Sequence, residues 1–146
     1  MNKYLEALII KSEKTINMKI VIVEEKPLIS KMLYGFISDL GYEVLCFNSV
    51  SDFNKSRSRG SGPVDLIFID PEMPKGQGLG IIKEIHELNL EADVIIISDG
   101  NNMIDPRQAI NNGVYSYLNK PVRLAELELL ITRVQEKRSR KAWQPD

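Results

Sequence analysis

The apolar positions of this chain come in short runs set apart by polar turns. "KIVIV" (19–23) is a β-branched run, the composition of a strand buried on both faces. "YEVLCF" (42–47), "DLIFID" (65–70), "DVIIIS" (93–98) and "VYSYLN" (114–119) supply four more strands. Between them the period changes to that of a helix. Pro27 can open the first, because its missing N–H is not needed there. Leu28, Ile29, Met32, Leu33, Phe36, Ile37 and Leu40 follow at helical spacing, and Gly41 ends the run. "SVSDFNKSRS" (49–58) predicts a short, poor helix and "RGSGP" (59–63) a loop. Leu79, Ile81, Ile82, Ile85 and Leu88 mark the next helix.

After a polar loop, "DGNNMI" (99–104), Asp105 can cap a short helix that Pro106 opens and that ends near Gly113. The last helix, "VRLAELELLITRVQEKR" (122–138), sets Leu124, Leu127, Leu130, Ile131 and Val134 on one face. Strands and helices alternate, and the strands are continuous apolar runs. That pattern predicts an α/β fold: a doubly wound, five-stranded parallel sheet with helices on both faces. In such folds ligands sit beyond the carboxyl ends of the strands.

Composition narrows the picture modestly. A chain of 146 residues, 43% apolar and 27% charged, suits one domain with a real core. A net charge of −1 gives no global case for nucleic acid or membrane. One cysteine, Cys46, excludes an internal disulfide. The run "ALII" (7–10) is too short for a membrane span or a signal-peptide core, so a cytoplasmic location is expected. Residues 1–17 form an N-terminal extension in which "YLEALIIKSEK" could make about two turns of helix. The domain is expected over 18–138, with 139–146 as a C-terminal tail.

The carboxyl ends of the predicted strands are unusual. The first ends in Glu24-Glu25, the third in Asp70, the fourth in Ser98 and the fifth in Lys120-Pro121. Alone, Asp70 could be a helix cap, a metal ligand, a nucleophile or a turn residue. In a parallel sheet these groups converge on one edge. Three acids together raise one another's pKa values, and a divalent cation relieves the conflict. Mg²⁺ takes one or two carboxylates, a carbonyl and several waters. Asp70 could then act as nucleophile toward a phosphoryl group, with Lys120 and the Ser98 hydroxyl holding phosphoryl oxygens.

Over about residues 18–138 this set resembles the receiver domain of two-component response regulators, the CheY-like superfamily. Asp70 matches the phosphoacceptor and "DPEMP" the loop after it. Ser98 matches the Thr/Ser position, and Gly113, Tyr117 and Lys120-Pro121 match the glycine, the switch aromatic and the Lys-Pro pair. The resemblance implies a flavodoxin-like sheet in the order 2-1-3-4-5. It implies phosphorylation of Asp70 with Mg²⁺ as cofactor, bound by Glu24, Glu25, Asp70 and the Glu72 carbonyl. Asp70, Ser98 and Lys120 would carry the transfer, and Ser98 and Tyr117 the switch. Such a module is not an enzyme beyond its own phosphotransfer and dephosphorylation. A histidine kinase or a histidine phosphotransfer protein would be the donor. A downstream protein, or an output domain missing from this sequence, would be the target. No membrane partner and no direct nucleic-acid contact are expected, and dimerisation is left open.

Two residues depart from the family pattern. Glu25 stands where Asp is usual, and Asp99 stands where a small residue is usual. Both motivate an alternative, a degenerate receiver that is a phosphorylation-independent interaction module. A nucleotide or flavin site is disfavoured, since "EEKP" (24–27) follows the first strand in place of a glycine-rich phosphate loop. His86 is expected to be a surface residue, Tyr115 to lie on the opposite side of the sheet from Tyr117, and the basic residues 137–141 to be a solvated helix end.

Overall fold

The computed structural model describes residues 2–3, 17–60, 62–71, 79–87, 91–99 and 105–142. The strands are β1 (Lys19–Val23), β2 (Glu43–Phe47), β3 (Leu66–Ile69), β4 (Asp93–Ser98) and β5 (Ser116–Asn119). They form one sheet in the order β2-β1-β3-β4-β5, and every pair is parallel. The helices are α1 (Pro27–Asp39), α2 (Val50–Ser58), α3 (Leu79–Glu87), α4 (Pro106–Asn111) and α5 (Leu124–Ala142). Among the described residues, no helix is long and apolar enough to cross a membrane. The helix expected in residues 4–14 and the "DGNNMI" loop after Asp99 lie outside the described residues.

Side chains alternate across a strand, so each buried strand feeds two cores. Ile20, Ile22, Phe68, Ile95 and Ile97 pack with Leu33 and Ile37 of α1 and with Leu127, Ile131 and Val134 of α5. Val21, Val23, Ile67, Ile69, Val94 and Ile96 pack with Phe53 of α2, Ile82 and Ile85 of α3, and Ala109 of α4. Tyr115 joins the first core and Tyr117 the second, as their alternation requires.

Asp105 caps α4 as expected, accepting from Arg107 N at 2.9 Å, and Ser49, the first residue of the stretch expected to be helical, instead caps α2 by accepting from Asp52 N at 3.1 Å. Gly41 follows α1 at φ +99°, a left-handed conformation that glycine adopts without a Cβ penalty. Gly113 combines φ +90° with close packing, because a Cβ there would lie 3.2 Å from His86 Cε1. His86 is thus an exposed residue that packs on the turn after α4.

Three expectations need correction. First, the helical spacing expected in α1 holds, but its apolar residues are not equally covered: Leu33 and Ile37 are buried, while Leu28 is 82% exposed and Met32 43%. Second, α5 starts two residues later than expected, leaving Leu124 exposed at its first turn, and runs on to Ala142. Third, Lys137 and Arg138 are not a solvated helix end. Arg138 reaches Asp93 at 3.0 Å and Asp65 at 3.2 Å and also donates to the Glu91 carbonyl. Lys137 pairs with Asp93 at 2.5 Å and stands 4.9 Å from the centre of the Tyr115 ring. Asp65 in turn accepts from Lys19 N at 2.8 Å. The acids at the amino ends of β3 and β4 therefore anchor the last turns of α5 to the sheet.

Tyr42, just before β2, adds a second tie by donating its hydroxyl to Gln135 of α5. Burial, and then the negative charge of Glu128, push its phenol above the usual value of 10.0.

Two outcomes are expected. Arg138→Ala leaves Asp65 without its cation and Asp93 with Lys137 alone, and should cost about 2 kcal/mol in urea unfolding at neutral pH. For Tyr42, ionisation begins in the unfolded chain near pH 10.0 and only later in the folded one. Its contribution should be intact below pH 10.0 and lost as pH rises through the raised folded value. Tyr42→Phe should lack that alkaline loss in parallel urea titrations.

Candidate phosphoacceptor site

The site is built at the strand ends: Glu24, Asp70 and Lys120 sit one position past β1, β3 and β5, and Ser98 is the last residue of β4. The parallel ladder continues beyond each strand end and holds their backbones. Glu24 N donates to Phe47 O at 3.0 Å, Asp70 N to Val23 O at 3.3 Å, and Lys120 N to Ser98 O at 2.6 Å. Side chains carried on so short a tether from a rigid sheet have little positional freedom. This places Glu24, Asp70, Ser98 and Lys120 along one edge, as their positions at the strand ends require.

Three of them form a charged cluster. Lys120 Nζ lies 2.8 Å from Asp70 Oδ2 and 3.4 Å from Glu24 Oε2. Glu24 is 2% exposed and Asp70 7%. Glu24 Oε1 also accepts from Lys26 N at 3.2 Å, which ties the carboxylate to the turn that leads into α1. Glu25, next in sequence, is exposed. Ser98 is fully buried, and Tyr117 is half-buried. The Lys120-Pro121 peptide is cis. A cavity of about 390 Å³ opens beside it, lined among others by Tyr117, Lys120, Arg123 and Glu126. The Glu72 carbonyl, expected among the metal donors, lies outside the described residues.

The electrostatics follow from burial and distance. Burial pushes the Glu24 carboxyl up, and this outweighs the Lys26 amide and the 3.4 Å Lys120 contact that pull it down. Burial alone would lower Lys120. The hydrogen bond to Asp70 and the charge of Glu24 together win, and its ammonium is held above the ordinary value of 10.5. Lys120 thus stays protonated between two carboxylates.

Those two carboxylates share a single ammonium, and a third acid, Glu25, follows Glu24 in the sequence. The donors are all oxygen and carry excess negative charge, which suits a hard divalent cation and disfavours soft metals. Among the described residues, no three such side chains already close round a common point.

Sequence reasoning named these residues but did not say which of the two glutamates is buried. Nothing in "VEEKP" marks Glu24 as the buried member; the pairing with Lys120 spans 96 positions and exists only once β1 and β5 share a sheet.

Comparison with known proteins agrees with the geometry. A family profile described as response regulator receiver domain matches residues 20–132. The probable C4-dicarboxylate response regulator DctR of Halalkalibacterium halodurans is 27% identical over 119 residues, which are 81% of this chain and 51% of that protein. The transcriptional regulatory protein DcuR of Escherichia coli is 24% identical over 123 residues, 82% of this chain and 51% of that one. The chain thus spans about half the length of the curated relatives it matches. Among solved structures, the signal receiver domain of a putative LuxO repressor protein from Vibrio parahaemolyticus superposes with a TM-score of 0.74 at 18% identity, covering 87% of this chain and 95% of that one. The receiver domain of the TMAO respiratory system response regulator TorR gives a TM-score of 0.72 at 26% identity, covering 82% and 98%.

Removing the shared cation should expose its role. Lys120→Met leaves Glu24 and Asp70 buried without their ammonium and should lower stability by about 3 kcal/mol at neutral pH. Adding Glu24→Gln to that variant should recover part of the loss, as read by urea unfolding.

Proposed function

The chain belongs to the response regulator receiver domain family, and from that premise we propose that it is a phosphorylation-switched signalling module with Asp70 as acceptor. The observation that carries this reading is the Asp70–Lys120 contact of 2.8 Å at the carboxyl edge of a parallel sheet. It pairs a rigidly held carboxylate nucleophile with a cation able to follow phosphoryl charge. In the transfer, an Asp70 carboxylate oxygen forms a bond to phosphorus. The bond from phosphorus to the donor atom breaks, and its electron pair leaves with the donor group. For a phosphohistidine donor, the imidazole nitrogen keeps that pair and takes a proton from water.

Mg²⁺ would draw its oxygen ligands from Glu24, Glu25, Asp70 and the Glu72 carbonyl, and would supply charge neutralisation at the phosphoryl oxygens. Lys120 and the Ser98 hydroxyl would bind the same oxygens. Tyr117, half-buried beside the cavity, would respond to the new charge by moving inward and changing the surface that partners read. A histidine kinase or phosphotransfer protein would supply the group. Two relatives are named as regulators of C4-dicarboxylate response or of transcription. A nucleic-acid contact of that kind would belong to the half of those relatives that this chain does not match.

Intact-protein mass after incubation with acetyl phosphate tests the reading. A single phosphoryl adduct is expected with Mg²⁺, absent in Asp70→Asn and absent without Mg²⁺. Failure to form it, together with no binding of a beryllofluoride mimic, would favour the degenerate receiver, a constitutive interaction module.

A further inference from the structure

We propose that Asp99 is a specificity-determining residue: an acid at the mouth of the site that slows transfer from small, doubly charged phosphodonors and favours a donor that brings positive charge beside its phosphoryl group. This deepens the reading above and rests on it. Asp99 follows Ser98, the last residue of β4, and is exposed, whereas Ser98 is fully buried. Alternation sets its place, since residues two apart along a strand share a face. Asp99 stands two after Ile97, as Glu24 does after Ile22, Asp70 after Phe68 and Lys120 after Leu118. Those four apolar residues all lie in the core covered by α1 and α5. The four charged residues are thus carried out of the sheet on one face, three acids and one base.

Register gives the separation. Ile69 pairs with Ile96, so Asp70 stands level with Ile97, and Asp99 lies two positions further out on the neighbouring strand. Two positions are about 7 Å along the strands and one strand spacing is about 5 Å across, which puts the two backbones about 8 Å apart. Across the β4–β5 pair, Ser98 is level with Asn119, so Asp99 is level with Lys120. The Lys120 ammonium is already turned to Asp70 at 2.8 Å and to Glu24 at 3.4 Å. Asp99 is the outermost acid of the face, and a group entering from solvent meets its charge before that ammonium. In water, one negative charge about 8 Å away opposes the approach of a dianion by about fivefold and of a monoanion by about twofold. A donor protein that carries lysine or arginine beside its phosphohistidine turns the same field into attraction.

The test compares the full chain with Asp99→Asn and Asp99→Glu. Asp99 is exposed, so both variants should fold. Adduct formation at saturating Mg²⁺ is timed with acetyl phosphate, a dianion at neutral pH, and with phosphoramidate, which carries one net negative charge. At low salt Asp99→Asn should react about fivefold faster than the parent with acetyl phosphate and about twofold faster with phosphoramidate. Both gains should vanish at about 1 M salt, where the Debye length is about 3 Å. Asp99→Glu keeps the charge and should match the parent. Equal gains with both donors, or gains that persist in high salt, would make the effect steric and overturn the proposal. An unchanged rate would overturn it too, and a slower one would assign Asp99 to metal binding instead. A second readout needs no phosphorylation. Lys120 is acylated with an uncharged succinimidyl ester and with its sulfonated, anionic counterpart, and exposed Lys31 is the internal reference. The preference of Lys120 for the uncharged ester should fall about twofold in Asp99→Asn, while that of Lys31 stays constant. If the parent forms no adduct with either donor, the phosphorylation reading fails by itself. The labelling preference then decides whether Asp99 repels anions, and an unchanged preference at Lys120 overturns the proposal.

Discussion

Two carboxylates removed from water at the edge of a sheet require a cation, and in this protein Lys120 is that cation. Its ammonium touches Asp70 at 2.8 Å and Glu24 at 3.4 Å, and it is held protonated by both. The three residues come from β1, β3 and β5, so the contact can form only when the whole sheet is in register. The reverse also holds. The apolar residues of β1, β3 and β4 fill two cores, and the ladder that aligns them carries on past their ends to fix the three charged groups. Packing and site geometry are consequences of one hydrogen-bonded lattice.

The opposite edge shows the same economy with reversed purpose. There Asp65 and Asp93 stand at the starts of β3 and β4 and are neutralised by Arg138 and Lys137 from α5. At that edge both cations come from a helix folded back onto the sheet, and among the described residues they match Asp65 and Asp93 in number. At the carboxyl edge one ammonium serves two buried acids, and Glu25, next to one of them in sequence, is exposed. The same residue types thus make a structural clamp at one end and a chemically unbalanced site at the other. The difference lies in the ratio of cations to carboxylates and in which element supplies the cation.

Sequence departures from the receiver pattern acquire definite meaning in this setting. The doubled glutamate is not one site with two equivalent acids. One member is buried and bonded through both oxygens, and its neighbour faces solvent. A substitution that lengthens the exposed member acts on a side chain with room to adjust. The same change at a buried position would have had to displace Lys120 or Lys26.

Much of this was legible in the chain itself. Uninterrupted β-branched runs alternating with 3.6-period segments predict a parallel sheet covered on both faces, because each pattern can bury its apolar atoms in only one way. Strand ends read in order predict Asp70, Ser98 and Lys120 on one edge. Local signals, such as Ser49 and Asp105 as caps and Gly41 at positive φ, act within four residues and so are written in the sequence. Contacts between distant positions are not. Which glutamate is buried, that Leu28, Met32 and Leu124 stay exposed despite their apolar character, and that Arg138 binds Asp65 and Asp93 instead of water were decided by tertiary packing. A periodic pattern states how much apolar surface a helix carries, and only the neighbouring elements determine how much of it is covered.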